Sequence, residues 1–273
     1  MKIITAVRNL KAVHAYSGEP LRNTHIAEIK EFIQKTPPPL GANVRIHWFR
    51  GSRDDDKVTG LGTYGKAKDV YEFLAAVYKK APLAEEAAAY LLEQIILFCT
   101  DLGIGTCWLI DRFHHENFLK RIDLKPGEIL RLIVPVGYPS NKRRKFGFIK
   151  DAVDKPGYHR PFEKVFFNKN FDTPLHEHQA GIYVEPLETV RLGAFGVNRQ
   201  SCHIVLDNNN LHFFKFPTEF DTVDIGIALC HFEQSCIELG ITGQYKFVNT
   251  KIKSRKFEYV ISWIPEQNNP PLI

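Results

Sequence analysis

Two long helices predicted from the sequence carry apolar side chains on almost every face. The first spans Ala84–Leu102 and the second spans Thr222–Leu239. A helix without a polar face has to lie inside a folded protein, because any exposed side would place apolar groups in water. The chain must therefore fold around these two segments.

The second long helix repeats the first at a distance of about half the chain. Aligned with each other, the two helices pair Cys99 with Cys236 and continue into Asp101–Ile104 and Glu238–Ile241, which share an acidic-Leu-Gly-Ile pattern. The repeat predicts an internal duplication with halves at residues 1–150 and 151–273. Neither half can bury its apolar helix alone, so we expect the halves to pack helix against helix, as homodimer subunits do.

Shorter periodic segments flank both long helices. Apolar spacing predicts a helix that Thr24 caps and that the prolines at 37–39 end, and further helices over Glu116–Ile122 and Pro186–Leu192. The predicted strands are Asn43–Phe49, Val70–Tyr78, Ile129–Val136, Cys202–Leu206, Leu211–Phe216 and Phe257–Trp263, with a turn at Asp207–Asn210.

The composition is that of a globular protein, with 44% hydrophobic and 25% charged residues, which excludes a wholly disordered chain. The most apolar stretch, Ala87–Thr100, contains Glu93 and Gln94 and is too short for a membrane span. Residues Met1–Arg8 lack the apolar core of a secretory signal, so we expect a cytoplasmic protein. The five cysteines are widely spaced and are expected to be reduced and mostly buried. The net charge of +5 slightly favours anionic small molecules.

Two glycine-containing segments are candidates for ligand contact. Leu102–Trp108 follows the first long helix, and its glycines free the backbone to approach a ligand, although a simple helix end has the same pattern. In Arg191–Gln200 the amides of Asn198 and Gln200 each offer a donor and an acceptor, which suits the edge of a flat heteroaromatic ring. The alternative for this second segment is a loop whose amides satisfy its own backbone.

Cations and histidines supply the other candidates. Arg8, Lys11 and His14 are spaced by three in the segment Arg8–Pro20 and could clasp a phosphate, or could be ordinary surface residues. The basic run Lys142–Lys145 is typical of a solvated linker, with phosphate contact as the alternative. The histidine pairs 114/115 and 176/178 lack metal-ligand spacing, so no metal site is expected.

Taken in order, these segments resemble the nitroreductase family of flavoproteins, and in particular its internally duplicated branch of single-chain pseudo-dimers. The resemblance spans nearly the whole chain. The matching segments are Tyr16–Leu21, Tyr90–Leu97, Leu102–Trp108, Val134–Pro139, Arg160–Phe167, Leu187–Leu192, Gly193–Cys202 and Asp224–Glu233.

The resemblance implies an α+β fold, with antiparallel sheets of two duplicated halves packed around central apolar helices, and one FMN between the halves. It also implies the cofactor-binding residues. Phosphate contacts are implied for Arg8, Lys11, His14 and Arg160, backbone contacts to the flavin O4 and N5 near Trp108, Ile110 and Asp111, and contacts to the ring edge or ribityl chain for Asn198 and Gln200.

This sequence departs from the family pattern in both motifs. The family's R-R-S-x-R arm reads Leu10–His14 here, which leaves Lys11 and His14 as the cations in register. In the loop, Ala194 and Phe195 replace Pro and Ser, and Ser201-Cys202 replaces Pro-Trp.

The implied function is an FMN-dependent NAD(P)H oxidoreductase that reduces nitroaromatic, quinone or similar small acceptors by ping-pong hydride transfer. The flavin N5 would carry the chemistry, so no catalytic side chain is expected. We expect a small-molecule acceptor, no nucleic-acid or membrane partner, and a monomer or weak homodimer. The alternative, suggested by the departures, is a non-catalytic protein of the same fold with a weakened or lost FMN site that binds a nucleotide or a protein partner.

Overall fold

The computed structural model describes residues 1–51, 63, 67–111, 113–140, 159–193, 200–218 and 220–266. They divide into two compact units. Unit 1 contains Met1 and the described residues of 9–145, and unit 2 contains residues 2–8 and the described residues of 146–273. The helices and strands of both units are numbered together in chain order.

The helices are α1 (Ile3–Asn9), α2 (Asn23–Lys35), α3 (Ala84–Asp101), α4 (His115–Leu119), α5 (Val184–Leu192) and α6 (Phe220–Glu238). The strands are β1 (Val44–Arg50), β2 (Glu72–Lys79), β3 (Gly105–Thr106), β4 (Leu109–Ile110), β5 (Glu128–Gly137), β6 (Phe166–Asn168), β7 (His203–Asp207), β8 (Asn210–Lys215), β9 (Gly243–Lys246) and β10 (Glu258–Pro265). Short 3₁₀ turns occupy Phe162–Lys164, Glu177–Gln179 and Gly181–Tyr183.

Unit 1 is built on an antiparallel sheet in the order β1-β2-β5-β3, with β4 also paired to β5. The long helix α3 follows β2 and is buried over most of its length, as its apolar sequence predicts. On the sheet, rings of Phe49, Phe73, Phe113 and Phe118 form stacked and edge-to-face pairs with centroids 5.0 to 5.5 Å apart. These aromatic contacts join β1 and β2 to α4.

The predicted cap of α2 is wrong. Arg22 occupies the N-cap position in extended conformation, with no side-chain hydrogen bond to the helix, and Thr24 lies inside the first turn. The helix is therefore held by its apolar face, where Ile29 is completely buried, rather than by a hydroxyl cap.

An ion pair joins the two strands that flank β2 at one end of the sheet. The Arg45 guanidinium of β1 donates to both carboxylate oxygens of Glu128 at 2.9 and 2.5 Å, and the Lys125 N–H donates to the same carboxylate at 2.8 Å. These donors lower the pKa of Glu128 to about 2, with the Arg45 hydrogen bond as the main cause.

The Glu128→Gln variant should lose less stability in acid than the wild type. An unfolded Glu has a pKa near ~4.3, so the stabilisation from Glu128 is complete above that pH and disappears as the pH falls toward 2. Between pH 5 and pH 2, the wild type should lose more stability than Glu128→Gln by less than about 1 kcal/mol, because Arg45 is partly exposed. Urea unfolding at pH 5, 4, 3 and 2 measures it, with exposed Glu19→Gln as the control. Parallel curves for wild type and Glu128→Gln would contradict the assignment.

Unit 2 is built on a second sheet in the order β6-β7-β8-β10-β9. All its pairs are antiparallel except β6 with β7, which is parallel. The long helix α6 follows β8 and is buried continuously from Asp221 to Phe232. Trp263 of β10, which is 1% exposed, packs edge-on against Phe232 and Tyr245.

The two units have the same order of elements. In unit 1 a helix (α2), two paired strands, a long buried helix, short strands and a last strand follow one another, and the last strand returns to pair with the second. In unit 2 the order from α5 through β7, β8, α6, β9 and β10 is the same, except that unit 1 has the short helix α4 before its last strand, and β10 returns to pair with β8. The protein is thus an α+β chain with antiparallel sheets, as the sequence indicates.

Two further expectations concern burial. All five cysteines are buried and form no disulfide, which confirms the prediction of internal thiols. Within the described part of the chain, every helix is too short or too polar to cross a lipid bilayer.

Candidate functional site

The N-terminal arm lies against the glycine-containing strand that follows α3. Ala12 bridges to Thr106, and the Val13 N–H donates to the Thr106 carbonyl at 2.8 Å. The fit is close: a Cβ placed on Gly105 would stand 2.7 to 2.9 Å from the Cβ and both methyls of Val13. Segments that are far apart in sequence are therefore packed backbone against backbone, as only glycine permits here.

The arm continues along the end of β5. Tyr16 bridges to Pro139, the Ser17 N–H donates to Tyr138 O at 2.9 Å, and the Ser140 N–H donates to Ala15 O at 2.9 Å. Tyr16 is buried, and burial raises the pKa of its phenol. With the arm fixed on the sheet, the side chains of Lys11 and His14 stay exposed beside the glycine strand.

Arg8 does not belong to this arm. Arg8 lies in α1 and groups with unit 2, whereas Lys11 and His14 belong to unit 1. Arg8 forms an ion pair with Glu185 at 2.7 Å, and both side chains are about half exposed. The sequence favours a helix here, because Ile3, Ala6 and Val7 recur at helical spacings of three and four and form its buried face.

The turn after α3 is shaped by Gly103, whose φ of +70° ends the helix. The Ile104 N–H returns to the Cys99 carbonyl at 2.8 Å, which closes the helix end. Beyond it, the Trp108 indole N–H donates at 3.0 Å to Glu93, a completely buried carboxylate of α3. Trp108 is thus tied to the long helix through its side chain, and its backbone contact with a flavin stays a prediction.

Ile110 and Asp111 are held on the sheet. Ile110 is buried in β4, opposite Leu132. Asp111 has a φ of +49°, and its N–H donates to Arg131 O at 3.1 Å. Its carboxylate accepts from the Arg131 guanidinium at 2.7 to 2.8 Å, and the same guanidinium reaches Glu85 at 2.7 Å. The Asp111 N–H already has a partner, so a flavin contact through it would need this bond to be shared.

In unit 2, Gln200 ties two backbone segments together. Its Oε1 accepts from the Arg160 N–H at 2.6 Å, and its amide nitrogen donates to the Arg191 carbonyl at 2.8 Å. Gln200 is 4% exposed and has a φ of +47°. The Gln200 amide therefore acts as a backbone clamp. Its bond to Arg191 O matches the alternative stated for this segment, a loop whose amides satisfy its own backbone. Its bond to Arg160, 40 residues away, has no local sequence signal.

Below Gln200 lies a buried polar layer. The Ser201 hydroxyl donates to the Asp224 carboxylate at 3.0 Å, and both residues are completely buried. His203 Nδ1 contacts Ser201 O at 3.1 Å. Burial, and then the charge of Asp224, raise the pKa of the Cys202 thiol. This layer supports the start of β7 under the clamp.

Asn198, Ala194 and Phe195 lie outside the described residues, as does the basic run Lys142–Lys145. The histidines of the sequence analysis contact nearby carboxylates: His115 lies 3.5 Å from Asp111, and His176 lies 3.5 Å from Glu163. Across the described ranges, no group of three or more His, Cys, Asp or Glu is arranged to hold a metal ion.

Each unit has an exposed cation whose chemistry is compatible with a phosphate ester. Lys11 and Arg160 have exposed side chains and form no ion pair with any described carboxylate. In Arg160 the backbone N–H and C=O are already bound by Gln200 and Arg191, so the segment is fixed while its guanidinium projects outward. Fixed backbone and exposed cation are what an anion site requires.

A family profile matches most of the chain. The family is described as "Putative TM nitroreductase", and the match covers residues 2–236. No curated protein matches this sequence.

A solved structure supports the fold. A protein from Thermotoga maritima described as a putative nitroreductase is 19% identical, with 97% of this chain and 94% of that chain covered and a TM-score of 0.58. An FMN-dependent nitroreductase from Clostridium difficile is 14% identical and covers 54% of this chain and 93% of its own, with a TM-score of 0.43. The first similarity supports the fold, and the second is too low to support an argument.

Proposed function

Because the chain belongs to the nitroreductase family, we propose that it is an FMN-dependent oxidoreductase that takes electrons from NADH or NADPH. The acceptors would be nitroaromatic compounds, quinones or similar small molecules. The observation that carries the proposal is the packing of the arm on the glycine strand, which fixes exposed Lys11 and His14 beside the backbone of Gly105–Thr106. A cation beside close-packed backbone suits an anionic cofactor with a flat ring.

We also propose that the two halves of the chain, residues 1–150 and 151–273, arose by internal duplication, although residues 2–8 group with unit 2. The shared order of helix, strand pair, long buried helix and returning strand supports this origin. The aligned helix ends at Asp101–Ile104 and Glu238–Ile241 support it independently, because they repeat in sequence as well as in topology.

The side chains have binding and positioning roles in this proposal. Lys11 and Arg160, with His14, would hold the phosphate, and Arg8 could join them only by leaving Glu185. Trp108 and Ile110 would offer backbone N–H groups to the ring, and Asn198 would contact its edge or the ribityl chain. Bound FMN would supply the redox chemistry, accepting a hydride and releasing electrons to the acceptor. No side chain has to act as a general acid or base.

The test is the colour of the purified protein. We expect a yellow protein, or one that becomes yellow after incubation with FMN and desalting, and the colour should bleach under nitrogen when NADH or NADPH is added. A preparation that stays colourless after FMN loading would reject the oxidoreductase and leave the alternative, a protein of this fold that binds a nucleotide or a protein partner.

The Arg160→Ala variant should bind FMN about tenfold more weakly, as expected for loss of one charged phosphate contact. Folding should not change, because Gln200 and Arg191 bind Arg160 through its backbone, which Ala keeps. Fluorescence titration of FMN and a thermal unfolding curve measure both effects, with exposed Lys164→Ala as the control. Equal FMN affinity in wild type and Arg160→Ala would remove Arg160 from the phosphate site.

A further inference from the structure

The segment from Lys246 to Phe257, which joins β9 to β10, is an exposed basic surface that we name the basic loop. It contains no Asp or Glu. Its cations are all exposed and form no ion pair with the described carboxylates: Lys246, Lys251, Lys253, Arg255 and Lys256. Such a concentration of unbalanced positive charge attracts a ligand with several negative charges.

Short-range hydrogen bonds fix the shape of the basic loop. The Val248 N–H donates to the Tyr259 hydroxyl at 3.1 Å, and the Ile252 N–H donates to Thr250 Oγ1 at 3.2 Å. Ser254 Oγ accepts from the N–H groups of residues 256 and 257 at 3.0 and 3.1 Å. Exposure alternates from Lys251 to Arg255, so the three odd-numbered cations share the outer side. A preordered set of donors loses less entropy when a ligand binds.

An aromatic ring stands at the start of the loop. Phe247 is 64% exposed, which is unusual for a large apolar side chain in a folded protein. Exposed aromatic rings beside cations are the means by which proteins bind nucleotides, because the base stacks on the ring while the cations hold the phosphates. The basic loop therefore has the chemistry of a site for a phosphorylated adenosine.

Contacts within unit 2 link the loop to the residues of the proposed cofactor site. The ring of Phe257 stacks on His203 with centroids 4.1 Å apart. His203 contacts Ser201 O at 3.1 Å, and the neighbouring Gln200 binds Arg160 at 2.6 Å. These contacts connect the C-terminal end of the basic loop, through His203, to the segment that contains Gln200.

We propose that the basic loop binds the 2′-phosphorylated adenosine of NADPH and makes NADPH the preferred electron donor over NADH. This inference rests on the proposed function. The 2′-phosphate adds a charge of about −1.5 to −2 at neutral pH, and NADH lacks it. Lys251, Lys253 and Arg255 would bind this group, and Phe247 would stack on the adenine.

Binding of two adenosine probes to the purified chain tests the loop without any flavin reaction. By calorimetry, adenosine 2′,5′-bisphosphate should bind at least about tenfold more tightly than 5′-AMP, since only the first carries the 2′-phosphate. The variant Lys251→Gln/Lys253→Gln/Arg255→Gln should lose this preference, whereas exposed Lys120→Gln should keep it. Phe247→Ala should lower the affinity for both probes by similar factors.

Equal affinity for the two probes, or an unchanged preference in the triple variant, would overturn the proposal. So would stronger competition by a short single-stranded oligonucleotide than by adenosine 2′,5′-bisphosphate, which would make the loop a nucleic-acid surface. In the FMN-loaded protein, reduction at equal donor concentration should be faster with NADPH, and equal rates would also overturn it. An absence of reduction by either donor would instead reject the proposed function, and the probe titration would still decide what the loop binds.

Discussion

The wild-type protein should lose about 3 kcal/mol of stability between pH 6.5 and pH 4 through His203 alone, and the His203→Asn variant should not. His203 is 2% exposed, and burial lowers its pKa to about 4. Its contact with Ser201 O raises the pKa and the charge of Arg160 lowers it, but both effects are smaller than that of burial.

The sign follows from the proton count. Between pH 6.5 and pH 4, His203 is protonated in the unfolded chain but neutral in the folded protein. Unfolding therefore takes up a proton, and the free energy of unfolding decreases as the pH falls. Below pH 4 the folded histidine is protonated too, and the loss stops. Asparagine keeps a donor for Ser201 O but does not titrate. The free energy of unfolding of His203→Asn should therefore change less with pH over this range.

Urea unfolding at half-unit pH steps measures the effect. Burial also lowers the pKa of His47, His159 and His212, so part of the acid slope should remain in His203→Asn. The exposed His178→Asn variant controls for the loss of an imidazole. If wild type and His203→Asn have the same slope between pH 6.5 and pH 4, His203 is not buried in its neutral form.

The long helices are the part of the fold that sequence predicts best. The predicted segment Ala84–Leu102 is observed as Ala84–Asp101, and Thr222–Leu239 as Phe220–Glu238. Their apolar residues cover all faces, which favours burial of most of each helix, although Ile237 at the end of the second helix is 60% exposed. The hairpin turn before Asn210 is also predictable from local sequence, because Asn208 and Asn209 adopt the positive φ that asparagine tolerates.

Elements that depend on distant partners were missed. The strands β3 and β4 have two residues each and exist only because β5 accepts them. The parallel pairing of β6 with β7 likewise has no local signal. Such short segments carry too few residues to show a periodicity.

For the site, sequence identified residues but not the bonds they make. The resemblance implies that Gln200 contacts the ring edge or ribityl chain, and in the structure its amide clamps Arg160 to Arg191. The spacing of the cations groups Arg8 with Lys11. In the structure, however, Arg8 lies in α1, whose buried face places it in unit 2, where it forms an ion pair with Glu185. Residue type shows what a side chain can bind, but the partner depends on distances that only the fold supplies.

The packing of the arm on β3 predicts a second large effect. Gly105→Ala should lower the free energy of unfolding by about 1 to 3 kcal/mol and weaken FMN binding. The new methyl would stand 2.9 Å from Val13 Cβ as well as close to both its methyls, so no rotamer of Val13 relieves the overlap. The arm would have to move away from Thr106, and exposed Lys11 would move with it.

A double-variant cycle separates this overlap from a general effect of replacing glycine. Val13→Gly removes the three atoms nearest to the new methyl, so adding Gly105→Ala in that background should cost much less stability. The coupling between the two substitutions should therefore exceed about 1 kcal/mol, well outside the additivity of independent sites. Gly127→Ala is the control, because a Cβ there meets no atom within 4 Å although its φ is positive. Urea unfolding gives the energies and fluorescence titration gives the FMN affinity. If the two single changes simply add, the arm does not rest on Gly105, and the cation placement that supports the cofactor site loses its basis.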